Sequence, residues 1–161
     1  MIIIKIWLHI LANIQKLLLK IIYGEAIHIG KNVTWRNNFS VMIGKKGQIE
    51  IGDNCFFNNG CSLNANNYIS IGEGTLFGEN VKVYDHNHRF RDLNKPIKEQ
   101  GFSDGEVIIG KHCWIGSNVV LLKGTHIGDN CVIGAGCVID GVVQDSTLVK
   151  SIICYDKQVI V

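Results

Sequence analysis

The sequence predicts a parallel β-helix, an all-β solenoid, and three observations carry that prediction. A six-residue period runs through most of the chain, its blocks open on an aliphatic or aromatic residue, and glycine is abundant, 18 residues against a single proline. From Ile109 the chain reads IGKHCW, IGSNVV, LLKGTH, IGDNCV, IGAGCV and IDGVVQ. Earlier it gives IGKNVT from Ile29, IGDNCF from Ile51, FNNGCS from Phe57, IGEGTL from Ile71 and FGENVK from Phe77. Chance does not hold a phase through successive blocks, so the period marks a repeat architecture. Physically, six residues make a short strand and a turn, with the first side chain pointing inward and Gly giving the backbone freedom at the corner. Three such units close one triangular coil, and stacked coils bury a column that no single coil could bury.

Taken in order, residues 1–24 come first. MIIIKIWLHILANIQKLLLKII is apolar enough to suggest a spanning helix or a signal peptide, and its polar residues decide against both. Lys5, His9, Asn13, Lys16 and Lys20 are spaced by four, four, three and four, which is one stripe of a helix. Each of the three lysines would cost about 2.5–3.5 kcal/mol at mid-bilayer. No small-residue cleavage site follows. The expectation is an amphipathic helix with a wide apolar face and a basic edge, packed within an oligomer or lying in a membrane interface.

Residues 25–145 carry the repeat. Cys55, Cys61, Cys113, Cys131 and Cys137 all occupy the fifth place of a hexapeptide, where Val and Thr also occur. No CxxC pair exists, so the reading is small interior residues rather than disulfides or metal ligands. The repeat is interrupted once, by a polar stretch at about 89–106 that holds the only proline, an inserted loop. Residues 146–161 are expected to form a C-terminal tail. With 47% apolar and 19% charged residues and a net charge of +2, the chain fits one globular domain and gives nucleic acid no basic surface.

The block VIIGKHCWIGSNVVLLKGTHIGDNCVIGAGCVI, from Val107 to Ile139, resembles the hexapeptide-repeat acyltransferases. Within them the chain is most similar to the galactoside, maltose and xenobiotic O-acetyltransferases and to enzymes that acetylate bacterial surface polysaccharides. The resemblance implies a left-handed parallel β-helix and a homotrimer. Handedness rests on the resemblance alone, since the general rule for parallel crossovers favours the right-handed form. It also implies acetyl-CoA as acyl donor, a carbohydrate acceptor, and a catalytic histidine just before an inserted loop.

The loop here leaves after VYDHNH, from Val83 to His88. Counting in that hexapeptide makes His88 the sixth residue and the expected general base, with His86 the alternative and Asp85 a partner to orient the imidazole. A neutral imidazole can take the proton of an acceptor hydroxyl as it attacks the thioester. By residue-to-residue match the resemblance implies Trp114, Gly116, Ser117, Gly134, Ala135 and Gly136 along the coenzyme. Asn58 and Trp114 are expected on the acceptor side, and Lys150 or Lys157 near the coenzyme 3′-phosphate. Where relatives often have Thr-Lys after the Gly-Ala-Gly block, this chain has Asp140-Gly141. No metal is expected: His86, His88, His112 and His126 lack the in-register pair of the γ-class carbonic anhydrases, which share the coiled fold. The expected function is acetyl-CoA-dependent O-acetylation of a sugar hydroxyl in surface polysaccharide biosynthesis. The alternatives are an acetyltransferase for a simple sugar, a drug or serine, and a non-catalytic structural β-helix. The expected location is cytoplasmic, with peripheral contact at the inner face of the membrane through the N-terminal helix.

Overall fold

The structure is a computed structural model and describes residues 2–151. Helix α1 spans Ile2–Tyr23 and a 3₁₀ turn, Gly24–Ala26, leads into the coils. The coil strands fall onto three all-parallel sheets, as three hexapeptides per coil require. The first sheet holds Ile27–Ile29, Gln48–Ile51, Tyr68–Ile71, Glu106–Ile109, His126–Ile127 and Val142–Val143. The second holds Thr34–Trp35, Phe56–Phe57, Leu76–Phe77, Trp114–Ile115, Val132–Ile133 and Leu148–Val149. The third holds Ser40–Ile43, Ser62–Ala65, Lys82–Tyr84, Val120–Leu121 and Val138–Ile139. The coils run past residue 145, because Leu148–Val149 pairs with Val132–Ile133.

The register explains the repeat. First-place residues stack on first-place residues: Ile29, Ile51, Ile71, Ile109 and Ile127 form one ladder. Phe57, Phe77, Ile115 and Ile133 form another. Most of these are fully buried, and each contributes about 1.5–3 kcal/mol relative to exposure. The fifth place is a second interior ladder with a polar function. The thiols of Cys55, Cys61 and Cys113 point at the carbonyls of Gly72, Gly78 and Gly128 in the next coil, at 3.1–3.2 Å. Thr75 Oγ1 makes the same bond to Gly110 at 2.9 Å, which is why Cys and Thr interchange there.

Glycine serves two places for two reasons, and the sequence reading joined them. The left-handed backbone falls at the fourth place, filled by Asn54 (φ 59°), Asn80 (57°), Asn118 (59°) and Gly136 (74°) among others. Asn tolerates this region and Gly occupies it freely. The second-place glycines are there because coils stack closely: a Cβ on Gly116 would lie 2.6 Å from the Ala135 amide nitrogen.

Helix α1 closes the first end of the solenoid. Ala12 and Leu19 are buried on the first coil, and Gln15 bridges Trp35 Nε1 (2.8 Å) and the Phe39 carbonyl (2.9 Å). Below it Trp35, Phe39, Phe57 and Phe77 stack with ring centroids 4.4–4.8 Å apart. The loop expected at about 89–106 is present, and its arms pair: His86–His88 lies antiparallel to Phe102–Asp104, and Glu106 already belongs to the first sheet.

Candidate active site

Coil packing ends at Tyr84, and the next residue turns in rather than out. Asp85 is completely buried at the corner between the third and first sheets. Its carboxylate accepts the amide of Asn66 (2.8 and 3.0 Å) and of Asn67 (2.7 Å) from the preceding coil. The remaining capacity of Oδ1 meets His86 Nδ1 at 2.8 Å. A buried carboxylate is retained only when hydrogen-bonded in this way. With Nδ1–H donated to Asp85, the His86 ring has one tautomer and a free Nε2 lone pair. Phe102 packs edge-on against that ring, with centroids 5.0 Å apart.

His88 sits differently. It lies on the exposed side of the hairpin, its ring 4.5 Å from Phe102, and makes no side-chain hydrogen bond among the described residues. The sixth-place count that favoured it assumes that the chain stays in coil phase to residue 88, whereas coil pairing stops at Tyr84.

A cavity of about 690 Å³ opens beside His88, inside the loop. Arg89, Arg91, Lys95 and Lys123 line it, with Asp92 and Glu99. Lys123, from the next coil at the same corner, donates to Ser103 Oγ at 2.7 Å and ties the loop down. Phe102, Ser103 and Lys123 were missed by sequence reasoning. The only signal was the loop segment GFSDG, with an aromatic residue amid polar ones.

The other expected residues occupy a different corner. Asn58, Gly78, Gly116 and Gly134 stack between the second and third sheets, each amide donating to the next coil, for example Gly116 N to Ile133 O at 2.7 Å. Ser117, Ala135 and Gly136 flank them, and exposed Lys150 follows in the same column. Asn58 Oδ1 accepts the Asn59 amide at 2.9 Å and is not a left-handed residue. Trp114 stands outward on the second sheet between Leu76 and Val132, more than half exposed. Lys157 lies outside the described residues. One chain therefore does not bring Asn58 and the glycine column to Asp85 and His86.

Burial raises the thiol pKa values of Cys55, Cys61 and Cys113, so none is primed as a thiolate nucleophile. His112 and His126 face Glu73 (3.8 Å) and Glu106 (2.9 Å) on the coil surface. Among the described residues no three His, Cys, Asp or Glu side chains group as metal ligands.

Comparison with known proteins agrees with the fold and the repeat. The family described as Bacterial transferase hexapeptide (six repeats) matches residues 106–141. The chain is 33% identical to the probable acetyltransferase Rv3034c of Mycobacterium tuberculosis, over 78% of this chain and 39% of that protein. It is 28% identical to WbbJ of Escherichia coli K12, provisionally named a lipopolysaccharide biosynthesis O-acetyl transferase, over 79% of this chain and 68% of that one. Among solved structures, a hexapeptide-repeat acetyltransferase of Vibrio cholerae complexed with acetyl coenzyme A superposes with a TM-score of 0.70. The two share 26% identity, covering 84% of this chain and 71% of that one. The chain thus spans about two fifths of the first relative and about two thirds of the second. The solenoid is the left-handed parallel β-helix of these acetyltransferases.

Proposed function

We propose that this chain, a β-helix of the hexapeptide-repeat acyltransferase superfamily, transfers an acetyl group from acetyl-CoA to a sugar hydroxyl, with His86 as general base. The observation that carries the reading is the Asp85–His86 pair at the corner where the chain leaves the coils. Asp85 fixes the imidazole through Nδ1, leaving Nε2 to take the acceptor proton. The hydroxyl oxygen then bonds to the thioester carbonyl carbon, the C–S bond breaks, and the coenzyme thiolate leaves and takes up a proton. The acyl-enzyme route through cysteine lacks support, since the described cysteines are interior thiols. His88, exposed and unoriented, serves better as a contact for the acceptor than as the base.

The split between corners favours an active site assembled from two copies of the chain, and a closed ring of three satisfies that need at every subunit. The backbone column at Gly116 and Gly134 suits an extended pantetheine arm, with Ser117, Ala135 and Gly136 beside it and Trp114 at its acyl end. Lys150 is the described cation nearest the far end of that column. The loop cavity, lined by His88 and not by His86, takes the charged part of the acceptor, and the reacting hydroxyl extends out of it to His86. Its four cations against two carboxylates suit a phosphorylated or acidic sugar, as in a lipid-linked or nucleotide-linked precursor of a surface polysaccharide. The donor's supply places the reaction on the cytoplasmic side. The similarity to WbbJ supports the polysaccharide assignment over a free small molecule.

The test is release of coenzyme thiol from acetyl-CoA with neutral, acidic and phosphorylated sugar acceptors, comparing the wild type with His86→Ala and His88→Ala. The reading expects acceptor-dependent turnover that is lost in His86→Ala and retained, with raised acceptor KM, in His88→Ala. Loss confined to His88→Ala would reverse the two roles. Absence of both turnover and coenzyme binding in a well-folded trimer would favour a structural β-helix.

A further inference from the structure

The helix that closes the solenoid is covered on only one side. Ala12 and Leu19 are buried, Gln15 bonds to Trp35 and Phe39, and Tyr23 Oη donates to the Val41 carbonyl at 3.2 Å. All of these partners belong to the first coil, so α1 lies across its open end. Ile14 and Ile21 follow Ala12 and Leu19 by two residues, about 200° round the helix, and therefore point away from the coils. Trp7, Leu11, Ile14, Leu18 and Ile21 share this outer face, each 40–70% exposed.

Charge is polarised toward the same end. Residues 1–47, the helix and first coil, contain seven Lys and Arg against one acidic residue, Glu25. Residues 48–161 contain nine against thirteen. A chain of net charge +2 thus carries about +6 on the helix end and −4 on the rest. Lys20 and His9 are exposed on one edge of the apolar face, and Lys16 lies beside them over the Trp35 ring at 5.7 Å. No helix among the described residues is long and apolar enough to cross a membrane.

We propose that the helix end is a docking face for an anionic lipid surface. α1 lies in the plane of the interface, its outer apolar residues enter the acyl boundary, and the basic edge and first coil meet the headgroups. The solenoid then stands on the membrane, with the His86 corner held above it at a fixed height. Each lysine at the surface contributes roughly a fivefold gain in partitioning, so apolar insertion and charge act together.

The experiment is flotation of the full chain with phosphatidylcholine vesicles, with and without phosphatidylglycerol, at low and high salt. The reading expects co-flotation with the anionic vesicles only, weakened by salt. It expects loss of binding in Ile14→Asp/Ile21→Asp and a drop of roughly fivefold or more in Lys20→Glu. These side chains are exposed, and an unchanged thermal melt shows that the variants fold. No flotation with either vesicle overturns the proposal. If the double variant then also lowers the mass by light scattering, the face is instead covered by another copy of the chain. The readout is binding alone, so it stands or falls independently of the acetyltransferase reading.

Discussion

Two corners of the same triangle are built by opposite means. Between the second and third sheets the turn repeats coil after coil, made by a close-stacking second-place residue, Gly at 78, 116 and 134, and a left-handed fourth-place residue, with no charge buried. Between the third and first sheets, at Asp85, a fully buried carboxylate receives two backbone amides and an imidazole, and the chain departs into a hairpin. The regular corner is satisfied by its own backbone. The irregular one buries a carboxylate whose hydrogen bonds exceed what a turn needs, and the proposed chemistry is assigned there for that reason.

The sharpest way to break this comparison is His86→Ala, expected to lower acetyl transfer by about 10²–10⁴-fold while leaving the melt near wild type. An equal loss on His88→Ala would erase the distinction between an oriented and a free imidazole. Asp85→Asn should follow: it keeps the shape but disturbs the bonds that hold the His86 tautomer, so kcat falls more than KM rises and the pH–rate profile shifts. A purely structural Asp85 would leave that profile unmoved.

At the regular corner the expected effects are on stability. Gly78→Ala places a Cβ 2.6 Å from the Ser117 amide nitrogen and should destabilise by about 1–3 kcal/mol in denaturant unfolding. Gly136→Asn has open space and a φ of 74° that Asn accepts, so it should cost well under about 1 kcal/mol, whereas Gly136→Val should melt clearly lower.

The interior thiols give the smallest effect. Burial raises the pKa values of Cys55, Cys61 and Cys113, so the folded chain keeps protons that the unfolded chain releases near an ordinary thiol value of about 8.5. Their contribution is full below that pH and is lost as pH rises through the folded values. Alkaline melts should therefore fall more steeply in the wild type than in Cys61→Thr, which at neutral pH differs by no more than about 1 kcal/mol because the hydroxyl keeps the bond to Gly78.

The hexapeptide phase alone determined the solenoid, the inward first and fifth places and the free cysteines, because each property repeats at fixed spacing and depends on the adjacent coil. The N-terminal stripe likewise marked an amphipathic helix. Tertiary structure alone decided which side of that helix is covered, since Gln15 and Tyr23 find their partners only across the coil end. It alone separated the two roles of glycine, which differ in what lies above the residue rather than in the residue. It also separated the settings of His86 and His88: counting along the chain reaches both, but only the Asn66–Asn67 turn, about nineteen residues earlier, supplies the amides that hold Asp85 and so the histidine bonded to it. Local spacing determines what repeats, whereas a charge held by amides from another coil exists only once the coils are stacked.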